Sequence, residues 1–254
     1  MSETVNGRKS PFGAWLAIAA FMLLWGVVFA IGPIIRNASS LFLPHGTVRE
    51  IAAGRAFFSV VFSWLALAGT MVILRVRGQR LADTGWGRPA AIWGWIAAAV
   101  FVAFYAWFGF NVPLRPGGSP VLSAKEWLTD WSMFRIVAAL AVGITSGICE
   151  ETMFRGFVMN QARDGRAPMV VQVLLAAILF GLAHAPWGGM AGHFDLAATL
   201  GASVSTAVIG LLFAIIFVLS RRSITPAVIG HTVFNFIWEP WMLMFAIHGS
   251  FAAH

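Results

Sequence analysis

The residues best suited to chemistry lie in the segment 149–155, which reads CEETMFR inside an otherwise apolar run. A charge near the centre of a bilayer costs about 2.5–3.5 kcal/mol, so charged residues there either pair or serve a function. On a helix, Glu151 and Arg155 stand one turn apart and can form an ion pair. Glu150 points about 100° away from Glu151 and is left for other chemistry. The alternative is an ion pair that only holds helices together.

Two further apolar runs carry polar residues one helical turn from a partner. Phe180 and His184 share a face in the first run, and His231 and Asn235 share a face in the second. A single histidine in an apolar helix is often only a hydrogen-bonded packing residue. Polar side chains of membrane helices face the interior of the bundle, however, so Glu150, His184 and His231 are expected to converge, with side chains about 4–8 Å apart.

Converged Glu, His and Asn side chains can hydrolyse an acyl bond with an activated water. A carboxylate and an imidazole can deprotonate and orient the water. A second imidazole and an amide can donate hydrogen bonds to the developing oxyanion. No GxSxG elbow is present to supply a nucleophile. The same groups could instead bind zinc, which takes histidine nitrogen and carboxylate oxygen, so the residues alone leave the metal undecided.

The composition predicts a polytopic membrane protein. The chain has 254 residues, of which 59% are hydrophobic and 11% charged, with a mean hydropathy of +0.81. A soluble globular protein carries about 25% charged residues. The net charge of +7 comes from basic residues in short segments between apolar runs, which is typical of membrane topology and speaks against nucleic-acid binding. One cysteine excludes an intrachain disulfide.

The predicted fold class is all-α, a single transmembrane domain over 1–254 built as a bundle of about seven transmembrane helices around a polar intramembrane active site. The predicted spans are 12–35, 56–74, 91–112, 133–161, 169–185, 196–220 and 224–247, the last interrupted by Pro240. Residues 81–89 suit the membrane interface, and 113–130 form a polar loop. The motif-bearing core is about 133–237, and the fourth to seventh spans mainly enclose the pocket.

The distribution of basic residues predicts a cytoplasmic amino terminus. With alternating spans, 11 basic residues fall on the amino-terminal side of the membrane and 6 on the other. The 11 are Arg8, Lys9, Arg75, Arg77, Arg80, Arg88, Arg155, Arg163, Arg166, Arg221 and Arg222. The 6 are Arg36, Arg49, Arg55, Arg115, Lys125 and Arg135.

The three motifs together resemble a known family. EExxxR at 150–155, FxxxH at 180–184 and HxxxN at 231–235 occur in this order on successive apolar segments, as in the CPBP family of intramembrane proteases. That family includes the type II CAAX prenyl endopeptidases and the bacterial Abi proteins. The segment 85–89, GWGRP, is also similar to bacterial members.

The resemblance implies roles for the motif residues. Glu150 would be the base, acting with His184 on the water. His231 and Asn235 would stabilise the oxyanion. The supporting residues would be Glu151, Arg155 and Phe180. Metal-free glutamate chemistry without a cofactor is favoured, and a zinc ion bound by Glu150, His184 and His231 is the alternative.

The resemblance also implies the partners and the location. The expected partners are the lipid bilayer and a peptide or protein substrate, whose lipid modification is left open, and no nucleic acid. The expected location is the bacterial inner membrane, with several spans. Two other functions stay open: a non-catalytic bacteriocin-immunity or scaffold protein of the same fold, and a proton-coupled transporter that uses buried Glu and His as a relay.

Glu239 is a candidate beyond the motifs. It follows Asn235 by one turn and His231 by two, so the three residues form one stripe on a continuous helix. We expect it either at the entrance of the pocket, where it would repel or orient substrate, or at the interface, where the helix leaves the membrane.

Overall fold

The structure is a computed structural model that describes residues 10–30, 48–113, 123–185 and 196–249, without the side chains at 29–30, 48–56, 58, 134, 198 and 239–249. The described elements are helical, which confirms the predicted all-α fold class. They are α1 (Pro11–Ala30), α2 (Val48–Val76), a 3₁₀ turn (Leu81–Thr84), α3 (Ile92–Asn111), α4 (Ala124–Thr129), α5 (Met133–Glu150), a π-helical segment (Glu151–Val158), α6 (Met159–Asp164), α7 (Met169–Ala183), α8 (Leu196–Leu219) and α9 (Thr225–Gly249).

Within the described residues, five helical stretches are long and apolar enough to cross a membrane. They lie in α1, α2, α3, α8 and the continuous run from α5 through α6. Helix α7, the predicted fifth span, has 15 residues and rises only about 22 Å, against a hydrocarbon core of about 30 Å. A short α7 places His184 at a helix end inside the protein.

Two details of the predicted elements were wrong. The segment 113–130 is not loop throughout, because Ala124–Thr129 forms α4. Its start is fixed by a capping box in which Ser123 Oγ accepts from the amide of Glu126 and the Glu126 carboxylate accepts from the amide of Ser123. Pro240 does not interrupt the last span, since α9 continues through it to Gly249. A proline removes one amide donor, a loss that membrane helices tolerate when neighbouring groups satisfy the freed carbonyl.

Helices α5 and α9 pack with their backbones almost in contact. A Cβ atom on Gly147 would lie 2.1 Å from Thr232 Oγ1 and 2.8 Å from the carbonyl oxygen of Val228. A Cβ atom on Gly143, one turn earlier, would lie 2.8 Å from the carbonyl oxygen of Thr232. Small residues spaced by four are the usual device for such close crossings in membranes. The crossing brings Glu150, at the end of α5, and Glu151, which follows it, beside His231 on α9.

The helix that carries the first motif changes its winding inside the motif. Residues Glu151–Val158 are π-helical, and every one of these side chains is buried. π-helical turns are rare and occur frequently at functional sites. The core around this segment is aromatic. Phe154 makes edge contacts with Trp25 of α1 and Phe180 of α7, at centroid distances of 5.4 and 5.1 Å.

Candidate active site

The structure brings Glu150, His184 and His231 together from three separate helices. Glu150 is the last residue of α5. Its Oε2 atom lies 3.9 Å from Nε2 of His184, which caps the end of α7, and 3.9 Å from Nε2 of His231 on α9. The side chains of Glu150 and His184 are 11% and 14% exposed, so the meeting point is nearly closed. These separations fall at the lower edge of the range expected from the sequence.

The hydrogen bond of His184 fixes which of its ring nitrogens faces Glu150. Nδ1 lies 2.8 Å from the carbonyl oxygen of Phe180, one turn earlier on α7. A carbonyl oxygen only accepts, so Nδ1 carries the proton and Nε2 of the neutral ring presents a lone pair towards Glu150. The Phe180 ring supports the imidazole at a centroid distance of 4.5 Å. The FxxxH motif therefore orients His184 through both residues.

Glu151 and Arg155 form the expected ion pair. Arg155 Nη1 lies 2.9 Å from Glu151 Oε1, and both side chains are fully buried. The same oxygen lies 2.7 Å from Nδ1 of His231. A carboxylate only accepts, so His231 donates from Nδ1 and turns Nε2 towards Glu150. Glu151 thus holds both Arg155 and His231, and the spacing of residues in the sequence does not indicate the second of these contacts.

Asn235 and residue 239 follow His231 at intervals of four residues along α9. Asn235 is buried one turn beyond His231. The proposed role of Asn235 at the oxyanion stays a prediction. Residue 239 lies within α9, but its side chain is outside the described residues, so the two alternatives for Glu239 also stay predictions.

Helix α8 supplies two contacts to the site that the motifs do not contain. The carbonyl oxygen of Gly210 accepts a hydrogen bond of 2.9 Å from Arg155 Nη2. The ring of Phe213 stacks on His231 at a centroid distance of 4.7 Å and an angle of 19°. Neither residue could be singled out from sequence, because glycine and phenylalanine are ordinary members of an apolar span. The spacing of Gly210 and Phe213 on one face of α8 is the only signal.

The carboxyl end of α7 is held by the first helix of the chain. Trp25 Nε1 of α1 donates to the carbonyl oxygen of Ala183, the residue before His184, at 3.3 Å. Trp25 is buried, and its ring packs against Phe154 of the π-helical segment. The last carbonyls of a helix have no partner within the helix. This bond therefore gives one of them, that of Ala183, a donor and fixes the end of α7. The first span carries none of the three motifs, yet it contributes to positioning His184.

The GWGRP segment packs against the helix that carries the first motif. Trp86 Nε1 donates to Thr152 Oγ1 at 3.0 Å. Gly85 has a φ of +104°, and a Cβ atom there would lie 2.4 Å from the carbonyl oxygen of Arg222. Both the backbone conformation and the close approach therefore require glycine. This segment therefore contacts both the π-helical segment, at Thr152, and the residues that precede α9, at Arg222.

The three groups that would bind zinc have the right chemistry but lie too far apart as placed. Zinc takes ligands at about 2.0–2.2 Å with tetrahedral geometry, which sets nitrogen–oxygen separations near 3.3 Å. The two separations to Glu150 Oε2 are 3.9 Å. Among the residues whose positions are described, no group of three His, Cys, Asp or Glu side chains has a metal-binding arrangement. The observed positions therefore do not fit zinc without a rearrangement.

The fold and this cluster define a class of protein: a polytopic helical membrane protein with acid and imidazole groups gathered inside the bundle. Residues 131–237 match the family model described as type II CAAX prenyl endopeptidase Rce1-like. The match confirms the resemblance of this segment to the family of CAAX-type proteases. No curated protein and no solved structure matches the chain. The family is one of endopeptidases that act on peptide or protein substrates at a membrane.

Proposed function

We propose that this protein hydrolyses a peptide bond of a membrane-associated protein or peptide, using a water molecule activated by Glu150 and His184. The observation that supports this best is the approach of one oxygen of Glu150 to the Nε2 atoms of two histidines from different helices, at 3.9 Å each. Atoms at that distance are close enough for a water lying beside them to contact the carboxylate and an imidazole together.

In the proposed reaction, Glu150 takes a proton from the water while the water oxygen attacks the carbonyl carbon. The lone pair on Nε2 of His184 accepts a hydrogen bond from the second hydrogen of the water and so orients the nucleophile. When the tetrahedral intermediate collapses, the carbon–nitrogen bond breaks and Glu150 returns the proton to the leaving nitrogen. The products are a carboxylate and an amine, and no covalent intermediate on the protein is required.

His231 and Asn235 are the proposed donors to the oxyanion. Because Nδ1 of His231 already donates to Glu151, Nε2 donates only when the ring is doubly protonated. The carboxylate of Glu151 is then the counter-charge of that ring, and Arg155 balances the remaining acid. With Glu150 ionised, the four groups carry two negative and two positive charges. A buried cluster without net charge avoids most of the cost of isolated ions.

We propose metal-free chemistry, because the residues as placed do not fit zinc and the proposed steps need no Lewis acid. The proposed location is the bacterial inner membrane with a cytoplasmic amino terminus, as the distribution of basic residues indicates.

The decisive experiment is cleavage of a peptide library by the purified protein in lipid vesicles. We expect the wild type to cleave and Glu150→Gln to lose activity by several orders of magnitude while folding normally. Glu126→Gln is the matched control, because Glu126 caps α4 and glutamine also serves at that position of a capping box. Absence of cleavage by the wild type would contradict the proposal. Uptake of a solute that a pH gradient drives in the wild type but not in Glu150→Gln would instead identify a proton-coupled transporter. Absence of both cleavage and uptake would favour an immunity or scaffold protein.

A further inference from the structure

Phe213 on α8 lies outside the motifs, and its ring contacts both His231 and Arg155. One face is stacked on His231, with centroids 4.7 Å apart and planes inclined by only 19°. The guanidinium carbon of Arg155 lies 5.4 Å from the Phe213 centroid and 4.4 Å from that of Phe180. Phe213 itself is fully buried. Arg155 and His231 are also the two groups that share Glu151 Oε1.

This arrangement leaves the His231 ring with one orientation. The hydrogen bond to Glu151 fixes the position of Nδ1 but permits the imidazole to tilt about the line from Nδ1 to the carboxylate. The parallel ring of Phe213 restricts that tilt, and the restricted ring directs Nε2 towards Glu150. Aromatic faces also carry negative charge density that attracts cations, so the same ring favours both the guanidinium and a doubly protonated imidazole.

Phe213 is in turn held by an aromatic group on α3 and α9. Its centroid lies 4.6 Å from that of Phe101, which lies 5.3 Å from that of Phe234. Phe213 cannot turn away from His231 without displacing these rings, since packed interiors leave little free volume. The orientation of His231 therefore depends on α3, α8 and α9 as well as on Glu151, and of these three helices only α9 carries a motif histidine.

We propose that Phe213 is a positioning residue that sets the orientation of His231 through ring stacking and so determines its ability to stabilise the oxyanion. The inference rests on the proposed hydrolytic function for its effect on turnover. It does not rest on that function for its effect on the His231 ring, which can be measured in the absence of any substrate.

The kinetic test compares two buried phenylalanines one turn apart on the same helix. Phe213→Leu removes the flat ring but keeps an apolar side chain, and we expect kcat to fall roughly tenfold with KM nearly unchanged. Phe213→Tyr keeps the ring face and should restore kcat to within a few-fold of the wild type. Phe217→Leu is the matched control, because Phe217 is equally buried but the centroid of its ring lies 5.8 Å from the guanidinium carbon of Arg222 instead of stacking on His231. It should leave kcat unchanged.

The structural test measures the Nδ1 proton of His231 by NMR on protein labelled at histidine. The signal is assigned by its absence in His231→Gln. We expect it to be protected from exchange with water in the wild type, Phe213→Tyr and Phe217→Leu, and to broaden or disappear in Phe213→Leu. Phe213→Met, a second ring-free variant of similar volume, serves if the leucine variant does not fold.

The outcomes separate this inference from the proposed function. If the wild type cleaves no peptide, the proposed function fails, and the NMR comparison alone decides the positioning of His231. A protected His231 signal in the ring-free variant overturns the inference, as does an unchanged kcat in an active enzyme. A fall in kcat that also occurs in Phe217→Leu overturns it too, because it would indicate general packing of α8.

Discussion

Replacement of Arg155 by alanine should lower the free energy of unfolding of this protein more than replacement of an arginine at its surface. The substitution removes the hydrogen bonds from Arg155 to Glu151 Oε1 and to the carbonyl oxygen of Gly210, both 2.9 Å long. It also removes the guanidinium from between Phe180 and Phe213. Glu151 would remain fully buried, with only His231 as its partner.

The size of the effect follows from burial. Removal of one partner from a buried pair costs about 3–5 kcal/mol, because an uncompensated charge stays in a medium of low polarity. That loss is a large fraction of a typical free energy of unfolding of about 5–15 kcal/mol. It corresponds to a decrease of roughly 150-fold to 5,000-fold in the ratio of folded to unfolded protein.

The assay is reversible unfolding in mixed micelles with increasing anionic detergent, and Arg163→Ala is the matched control. Arg163 lies on the same run of helix, but its side chain is 44% exposed and its atom nearest to Asp164 is 3.9 Å away. An exposed pair contributes about 0–1 kcal/mol, so the control should unfold close to the wild type. Equal losses of stability in Arg155→Ala and Arg163→Ala would refute the reasoning.

The two adjacent acids should respond differently to the same change. Glu151→Gln should lose both folded protein and activity, because it breaks the contacts to Arg155 and His231 together. Glu150→Gln should lose only activity. A well-folded, inactive Glu151→Gln beside an active Glu150→Gln would mean that the roles of the two acids are reversed.

Three further predictions concern packing, metal and substrate. Gly147→Val should abolish folding and activity, since a Cβ atom there would lie 2.1 Å from Thr232 Oγ1. Gly201→Val should be tolerated, because no atom lies within 4 Å of a Cβ atom at that position. The yields of monodisperse protein distinguish the two variants. Exhaustive chelation should leave cleavage unchanged, and stoichiometric zinc whose removal abolishes activity and whose return restores it would overturn the metal-free mechanism. Glu239→Gln should alter the preference for charged substrate residues without changing cleavage of neutral peptides, and identical kinetics on acidic, neutral and basic substrates would place Glu239 at the interface.

Much of the fold and the convergence of Glu150, His184 and His231 could be predicted because charge and polarity are conspicuous in apolar helices. A polar group in a span has few low-energy positions, so its presence indicates which face is buried. The i, i+4 spacing of Glu151 and Arg155 indicated their pair for the same reason, and the structure confirms it.

The contributions of Phe213, Gly210 and Trp25 could not be predicted, because they depend on the crossing of helices rather than on residue type. A phenylalanine that faces His231 and one that faces lipid look alike in an apolar run. The contact of Glu151 with His231 was missed for a related reason. It depends on the rotation of the helix beyond Glu150, and that rotation departs from regular α-helical spacing over Glu151–Val158.

The π-helical segment lets the residues before it and the residues after it face their partners independently, whereas a regular α-helix would fix the angle between the two faces. Upstream, Gly143 and Gly147 must face α9, and downstream, Asn160 must reach the carbonyl oxygen of Asp83 in the loop after α2. A π turn holds more residues than an α turn, so it acts as an insertion absorbed without a loop. Loss of a single residue between 151 and 158 would return the segment to α-helical winding and rotate one face by about 100° against the other. Length in this stretch is therefore constrained as tightly as residue identity, and relatives of this chain should differ there by substitution rather than by insertion or deletion.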